Sequence, residues 1–171
     1  MQIFASEEPL TNIKRDLGLI MMGGIALKVE SSVTINRKAE EVWRFITDWS
    51  NSPKWDIGII EMKQTSTGPF GVGTTFTQIR RSTPKETDMR VIEYELNRKF
   101  VLEVPTGPGK GSTFTFEMQD VEGKARFTET DDCTWNGFYR VLGPFLGGTV
   151  RRNCASRVGN IKRLLESEAH S

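Results

Sequence analysis

The sequence predicts an α+β fold in which a curved antiparallel sheet of about six or seven strands wraps around a long C-terminal helix, with one or two short helices after the first strand. Three observations predict it: a period-two strand near the start, a succession of short alternating segments separated by turn residues, and an amphipathic stretch at the end. A sheet with one apolar face must cover it, and the last helix is the largest element to do so.

The first strand is read from IALKVESSVTIN, where Leu27, Val29, Ser31, Val33 and Ile35 share one face. Asn36 is placed to cap a helix over KAEEVWRFITDW, which spaces Ala39, Val42, Trp43 and Ile46 by three and four residues. Glu40 and Glu41 lie near its N-terminal end, where the helix dipole favours negative charge. NSPKW follows as a turn or second short helix, with Pro53 suited to its first turn.

Strand segments then succeed one another. IGIIEMKQTS runs to the glycine-rich GPFGVG, TTFTQIRR follows, and Thr83-Pro84-Lys85 is read as a break before TDMRVIEYEL. Asn97-Arg98-Lys99 turns into FVLEV, PTGPGKG into STFTFEMQDV, and Glu122-Gly123-Lys124 into ARFTETDDCTW. Loops this short join antiparallel neighbours. From Thr149 to Glu168, Val150, Cys154, Val158, Ile161, Leu164 and Leu165 form an apolar stripe, with Arg151, Arg152, Arg157, Lys162 and Arg163 placed mostly off it. Gly143, Pro144, Gly147 and Gly148 make the segment before Thr149 a weak or kinked helix in this reading.

One domain suits 171 residues, a length that buries roughly 70% of the unfolded surface. Residues 1–22 are read as an appended or loosely ordered segment and 23–171 as the domain. The run Leu17 to Leu27 has acidic rather than basic flanks and is too short to span a bilayer, so neither a signal peptide nor stable membrane insertion is expected. The expected location is the cytoplasm.

Lys plus Arg number 23 against 22 Asp plus Glu, without the basic excess of a nucleic-acid binder. Cys133 and Cys154 make neither a disulfide framework nor a zinc site. A single histidine, His170, sits next to the C-terminus, so mechanisms that need a packed imidazole are nearly excluded. TGPGKGS lacks the Gly-Lys-Ser/Thr spacing of a phosphate loop and leads into a strand, so it is a hairpin turn. No metal and no cofactor are expected.

The strings VESSVTINRKAEEVWRFITDWSNSPKWD, GPFGVGTTF, VIEYELNRKFVLEV and NIKRLLE, in this order, resemble the START-like, birch-allergen-like superfamily (SRPBCC), in its polyketide cyclase/dehydrase-like branch. The resemblance spans residues 28–167. It implies a helix-grip fold with a tunnel between sheet and last helix, binding of lipids, polyketides or other apolar molecules, and enzymatic activity in only some members. None of the matching strings is a catalytic motif.

Phe100, Leu102 and Val104 share a strand face, as do Phe114, Phe116 and Met118 on the next strand. With the resemblance, Trp55, Phe76, Phe100, Leu102, Phe114, Phe116, Phe127, Cys133, Trp135 and Phe145 are the candidate ligand-binding residues. For each one singly, ordinary core packing is the competing explanation. Glu129 shares parity with Phe127 and Cys133, so its carboxyl is expected to face the cavity with a raised pKa that suits acid–base work. Tyr139 and Arg80 are candidate donors to a ligand oxygen, with Gln78 on the same face as Arg80. Asp56 lies near the pocket mouth in the resembling fold, although aspartate more often serves a turn.

The leading expectation is a cofactor-free carrier or receptor for a small hydrophobic ligand. The alternative is a cyclase/dehydratase-type enzyme using Glu129, Tyr139 or Arg80, and the second alternative is a protein-interaction module with a vestigial cavity. An ordered polar cluster deep in the pocket would favour the enzyme. Homodimerisation is left open.

Overall fold

The computed structural model describes residues 26–136 and 139–167, so the expected N-terminal segment 1–22 lies outside the described residues. Strand β1 (Ala26–Ile35) leads to helix α1 (Ala39–Thr47), a 3-10 turn (Trp49–Asn51) and a one-turn helix α2 (Ser52–Trp55). Six strands follow: β2 (Ile59–Gln64), β3 (Thr75–Arg80), β4 (Thr83–Glu95), β5 (Lys99–Glu103), β6 (Thr113–Val121) and β7 (Lys124–Thr134). Helix α3 (Tyr139–Ser167) closes the chain.

The seven strands form one sheet in the order β1-β7-β6-β5-β4-β3-β2, antiparallel at every pairing. Sequential strands are neighbours from β2 to β7, as short turns require, and β1 returns to pair with β7 over its whole length. The predicted α+β helix-grip arrangement is the one found. The β6–β7 turn uses two consecutive residues with positive φ, Glu122 at 55° and Gly123 at 78°. Both central residues of a type I′ hairpin turn need this conformation, and it matches the strand twist.

Three local expectations are corrected. Asn36 does not cap α1: the N-cap residue is Lys38, without a side-chain bond, and the Asn36 backbone N–H instead donates to Glu166 Oε1 at 2.8 Å. Thr83-Pro84-Lys85 is not a break, because Arg81 and Ser82 form the hairpin turn and β4 begins at Thr83, opposite Arg80. The segment before Thr149 is continuous with the C-terminal helix. Pro144 lies near the helix start, and it forgoes a single ladder bond, to the Arg140 carbonyl.

The concave face of the sheet is covered from two directions. Helix α1 buries Val42, Trp43 and Ile46, while α3 buries Cys154, Arg157, Val158, Ile161 and Leu165. Between them Phe100, fully buried, stacks on Phe116 with centroids 4.6 Å apart and meets Trp43 edge-on at 5.4 Å. Trp49, Phe70 and Phe76 complete this aromatic layer. Phe100→Ala should cost ~3–5 kcal/mol in urea unfolding, the usual loss for a large ring removed from a close-packed core.

Candidate functional site

The interior is not uniformly apolar. Two acidic residues of β7, Glu129 and Asp131, are each only 1% exposed, and they share inward parity with Phe127. Opposite them on α3 stands Arg157, 7% exposed. Its Nε donates to Glu129 Oε1 at 2.8 Å and its Nη2 donates to Asp131 Oδ2. The cluster continues across the cavity: Arg157 Nη1 lies 3.8 Å from Asp56 Oδ2, and Asp56 accepts two bonds from Arg80, at 3.0 and 3.3 Å.

Each charge is positioned by its local backbone. Asp56 follows α2, and its Oδ1 also accepts the Gly58 N–H at 2.8 Å. At position 58 a Cβ would fall 2.6 Å from Arg80 Nη2, so glycine leaves the space in which the guanidinium reaches Asp56. Arg80 comes from the end of β3, where its Nη1 also donates to Gln78 Oε1 at 3.4 Å. Asn160, one turn beyond Arg157, donates to the Trp55 carbonyl at 3.1 Å and ties α2 to α3.

Three carboxyl groups thus face two guanidinium groups; Asp56, Glu129, Asp131 and Arg157 are buried, while the Arg80 side chain keeps 27% of its surface exposed. Burial pushes the Glu129 carboxyl up to about 8; Arg157 opposes the shift, and Asp131 adds to it. Asp131 is raised for the same reason, burial outweighing the attraction of Arg157. Burial alone would lower Arg157, but Glu129, Asp131 and Asp56 together hold it above its ordinary value. The three carboxyls outnumber the two guanidiniums by one, and burial favours protonation at both Glu129 and Asp131, which titrate as a pair.

Beside the cluster lies a cavity of about 40 Å3, lined by Trp55, Asp56, Ile59, Met62, Gln78, Arg80, Met89, Leu102, Phe114, Phe116, Glu129 and Arg157. Of the candidate ligand-binding residues, Trp55, Leu102, Phe114 and Phe116 line it. Phe76, Phe100 and Phe127 are buried in the surrounding core. Cys133 and Trp135 are half-buried near the end of β7, and Phe145 on α3 is 83% exposed. Glu129 and Arg80 are in the lining, whereas the Tyr139 side chain lies outside the described residues. Both thiols are free and pushed up by burial, Cys133 to about 11 and Cys154 to about 12, so neither is a ready nucleophile.

Arg151, Arg152 and Arg163 lie exposed off the apolar stripe of the last helix as expected, and Arg157 is the exception. It sits three residues after Cys154 and four before Ile161, the spacing of the stripe itself. Strand parity likewise marks Asp131, between Glu129 and Cys133.

A family profile described as polyketide cyclase/dehydrase and lipid transport matches residues 26–166. The chain belongs to this family. Similar solved structures include a protein from Thermus thermophilus, at 13% identity and TM-score 0.69, covering 83% of this chain and 99% of that one. The ZhuI aromatase/cyclase from a Streptomyces species matches at 12% identity and TM-score 0.69, covering 84% and 96%. The Aha1 dimer from Colwellia psychrerythraea matches at 17% identity and TM-score 0.59, covering 82% and 96%. At these identities the likeness is one of fold. No curated protein sequence matches the chain. Among the described residues, no helix is long and apolar enough to cross a membrane.

Arg157→Met should cost ~3–5 kcal/mol at pH 7, because it leaves buried carboxyls without their counter-charge. The loss should shrink toward pH 5, as those carboxyls take up protons. Wild-type stability should itself fall as pH rises from about 4.5 to about 8, since over that window native Glu129 holds a proton that the unfolded chain has released. Glu129→Gln should flatten this slope in thermal melts taken across the window.

Proposed function

We propose that this chain binds a small, largely apolar molecule carrying one polar group, in the cavity between the sheet and α3. The observation that carries the reading is the pairing of an aromatic and aliphatic wall with a buried ionisable cluster in one cavity. Such a site holds an apolar body by burial and orients it through a few polar contacts. The membership of the family, whose description joins cyclase, dehydrase and lipid transport, supports the same reading.

At about 40 Å3 the cavity holds a few atoms, whereas metabolite pockets run to several hundred. Binding therefore requires the lining to move. Met62 and Met89 are suited to this, because unbranched thioethers repack at low cost, and half-buried Phe114 is the aromatic with most freedom to swing. The setting we propose is the cytoplasm, where the free thiols Cys133 and Cys154 would stay reduced.

A second reading, an acid–base enzyme of the cyclase or dehydratase type, is favoured by the ordered polar cluster of Asp56, Arg80, Glu129 and Arg157 in the cavity wall, the feature expected of an enzyme rather than a carrier, and by Glu129 itself. A carboxyl that titrates near 8 inside a cavity is a proton donor matched to neutral pH. In this reading Glu129 protonates a substrate oxygen, and Arg80 steadies the charge that develops there.

A thermal-shift series against quinones, sterols, fatty acids and polycyclic aromatics tests the binding reading. A true ligand at a hundred times its Kd adds about 2.7 kcal/mol, hence roughly 5–10 °C. Leu102→Phe, which narrows the cavity from the sheet side, should abolish the shift. No shift in any class, or one that survives this substitution, would count against the cavity. Under the second reading, Glu129→Gln abolishes turnover and leaves affinity nearly intact; unchanged turnover removes Glu129 as the acid.

A further inference from the structure

Among the described residues that line the cavity, only Arg80 and Phe114 are half-buried, and all the others are buried. A path from water to the cavity therefore runs past these side chains. Phe114 is held there by apolar packing against the core, whereas Arg80 is held by charge. Its guanidinium donates to Asp56 at 3.0 and 3.3 Å and to Gln78 Oε1 at 3.4 Å. Asp56 belongs to the loop between α2 and β2, so the ion pair fastens that loop to the end of β3.

Two features make this pair releasable, unlike the rest of the cluster. The Arg80 side chain is 27% exposed, so its long stem reaches water by rotation alone, an exit that buried Arg157 lacks. Asp56, for its part, is not stranded when Arg80 leaves. Its Oδ1 keeps the Gly58 N–H at 2.8 Å, and its Oδ2 lies 3.8 Å from Arg157 Nη1. The main penalty for breaking a buried pair, a charge left without a partner, is thereby reduced. Gly58 sets the balance. A Cβ at this position would fall 2.6 Å from Arg80 Nη2, the far end of a flexible side chain, and would meet no backbone atom as closely. Alanine there pushes the guanidinium off Asp56 while the loop keeps its path.

Resting on the ligand-binding reading above, we propose that the Asp56–Arg80 pair gates the cavity: ligands enter between Arg80 and Phe114, and only while Arg80 has swung off Asp56 into water. Arg157 holds Asp56 in the open state, and the pair re-forms behind the ligand. Entry and exit then both scale with the fraction of time the pair is open, so the pair governs rates more than affinity. Arg81 supplies a control. Its Nε donates to the Ile57 carbonyl of the same loop at 2.9 Å, but it is exposed and has no part in the lining.

The test has two arms, both on the full chain. In the first, Met62→Cys places a thiol in the buried lining, and its labelling by methyl methanethiosulfonate is followed by peptide mass spectrometry. Adding Gly58→Ala should speed labelling at position 62 about fivefold, the gain expected from weakening a partly exposed ion pair, and adding Arg81→Met should leave it unchanged. Cys154, buried outside the lining, should label no faster in either background, which separates an opened entrance from general loosening. In the second arm, stopped-flow fluorescence follows N-phenyl-1-naphthylamine, a neutral apolar probe. Gly58→Ala should raise its association and dissociation rates by about the same factor and leave Kd nearly unchanged. Unchanged labelling and rates in Gly58→Ala, or equal acceleration by Arg81→Met, overturn the gate while the cavity reading stands. A probe that binds no variant, with labelling accelerated as expected, overturns the cavity reading and leaves the entrance in place.

Discussion

A single arginine on the last helix organises this interior. Arg157 reaches from α3 across the concave face of the sheet to two acids of β7, and its third nitrogen approaches Asp56, which in turn holds Arg80 of β3. One connected set of charges therefore joins both halves of the sheet, the loop after α2 and the C-terminal helix. Buried ion pairs add little net stability, because desolvation offsets much of the attraction. They are demanding about geometry, however, since any displacement leaves a charge without its partner. The cluster specifies where α3 sits on the sheet, and hence where the cavity lies.

The same arrangement gives the cavity its chemical character. The aromatic layer around Phe100 fills most of the space between α1 and the sheet, and the remaining void is small. What distinguishes it from a packing defect is its lining: an apolar defect stays dry and featureless, whereas here the wall includes Asp56, Arg80, Glu129 and Arg157. A surplus of acid in low dielectric turns a structural cluster into a proton store, with Glu129 raised to about 8. Binding and proton transfer are alternative uses of that store.

The architecture was largely legible in the sequence, because strand parity and helix spacing act over short range. Phe127 and Glu129 read as inward from alternation alone, and Val158, Ile161 and Leu165 from the helical stripe. At Arg157 residue type and position conflict: arginine usually snorkels to water, yet its spacing puts it on the buried face. The aromatic candidates divided for a different reason. Parity says that Phe76, Phe100 and Phe116 point inward, but whether a ring lines a void or packs against Trp49 and Trp43 depends on contacts between distant elements. The buried polar atoms without a partner, Trp49 Nε1, Trp55 Nε1, Glu129 Oε2 and Asp131 Oδ1, have no sequence signature, since the absence of a partner is a property of the packed interior.

The most direct test is the ionisation of Glu129 itself, followed by carboxyl-carbon NMR on protein labelled at glutamate, with Glu129→Gln assigning the resonance. The expected result is a carboxyl that is still largely protonated at pH 7 and titrates near pH 8. A Glu129 ionised at every pH above about 5 would mean that Arg157 neutralises it in the ordinary way. Glu129 would then hold no proton at neutral pH, and the acid–base reading of the cavity would fail.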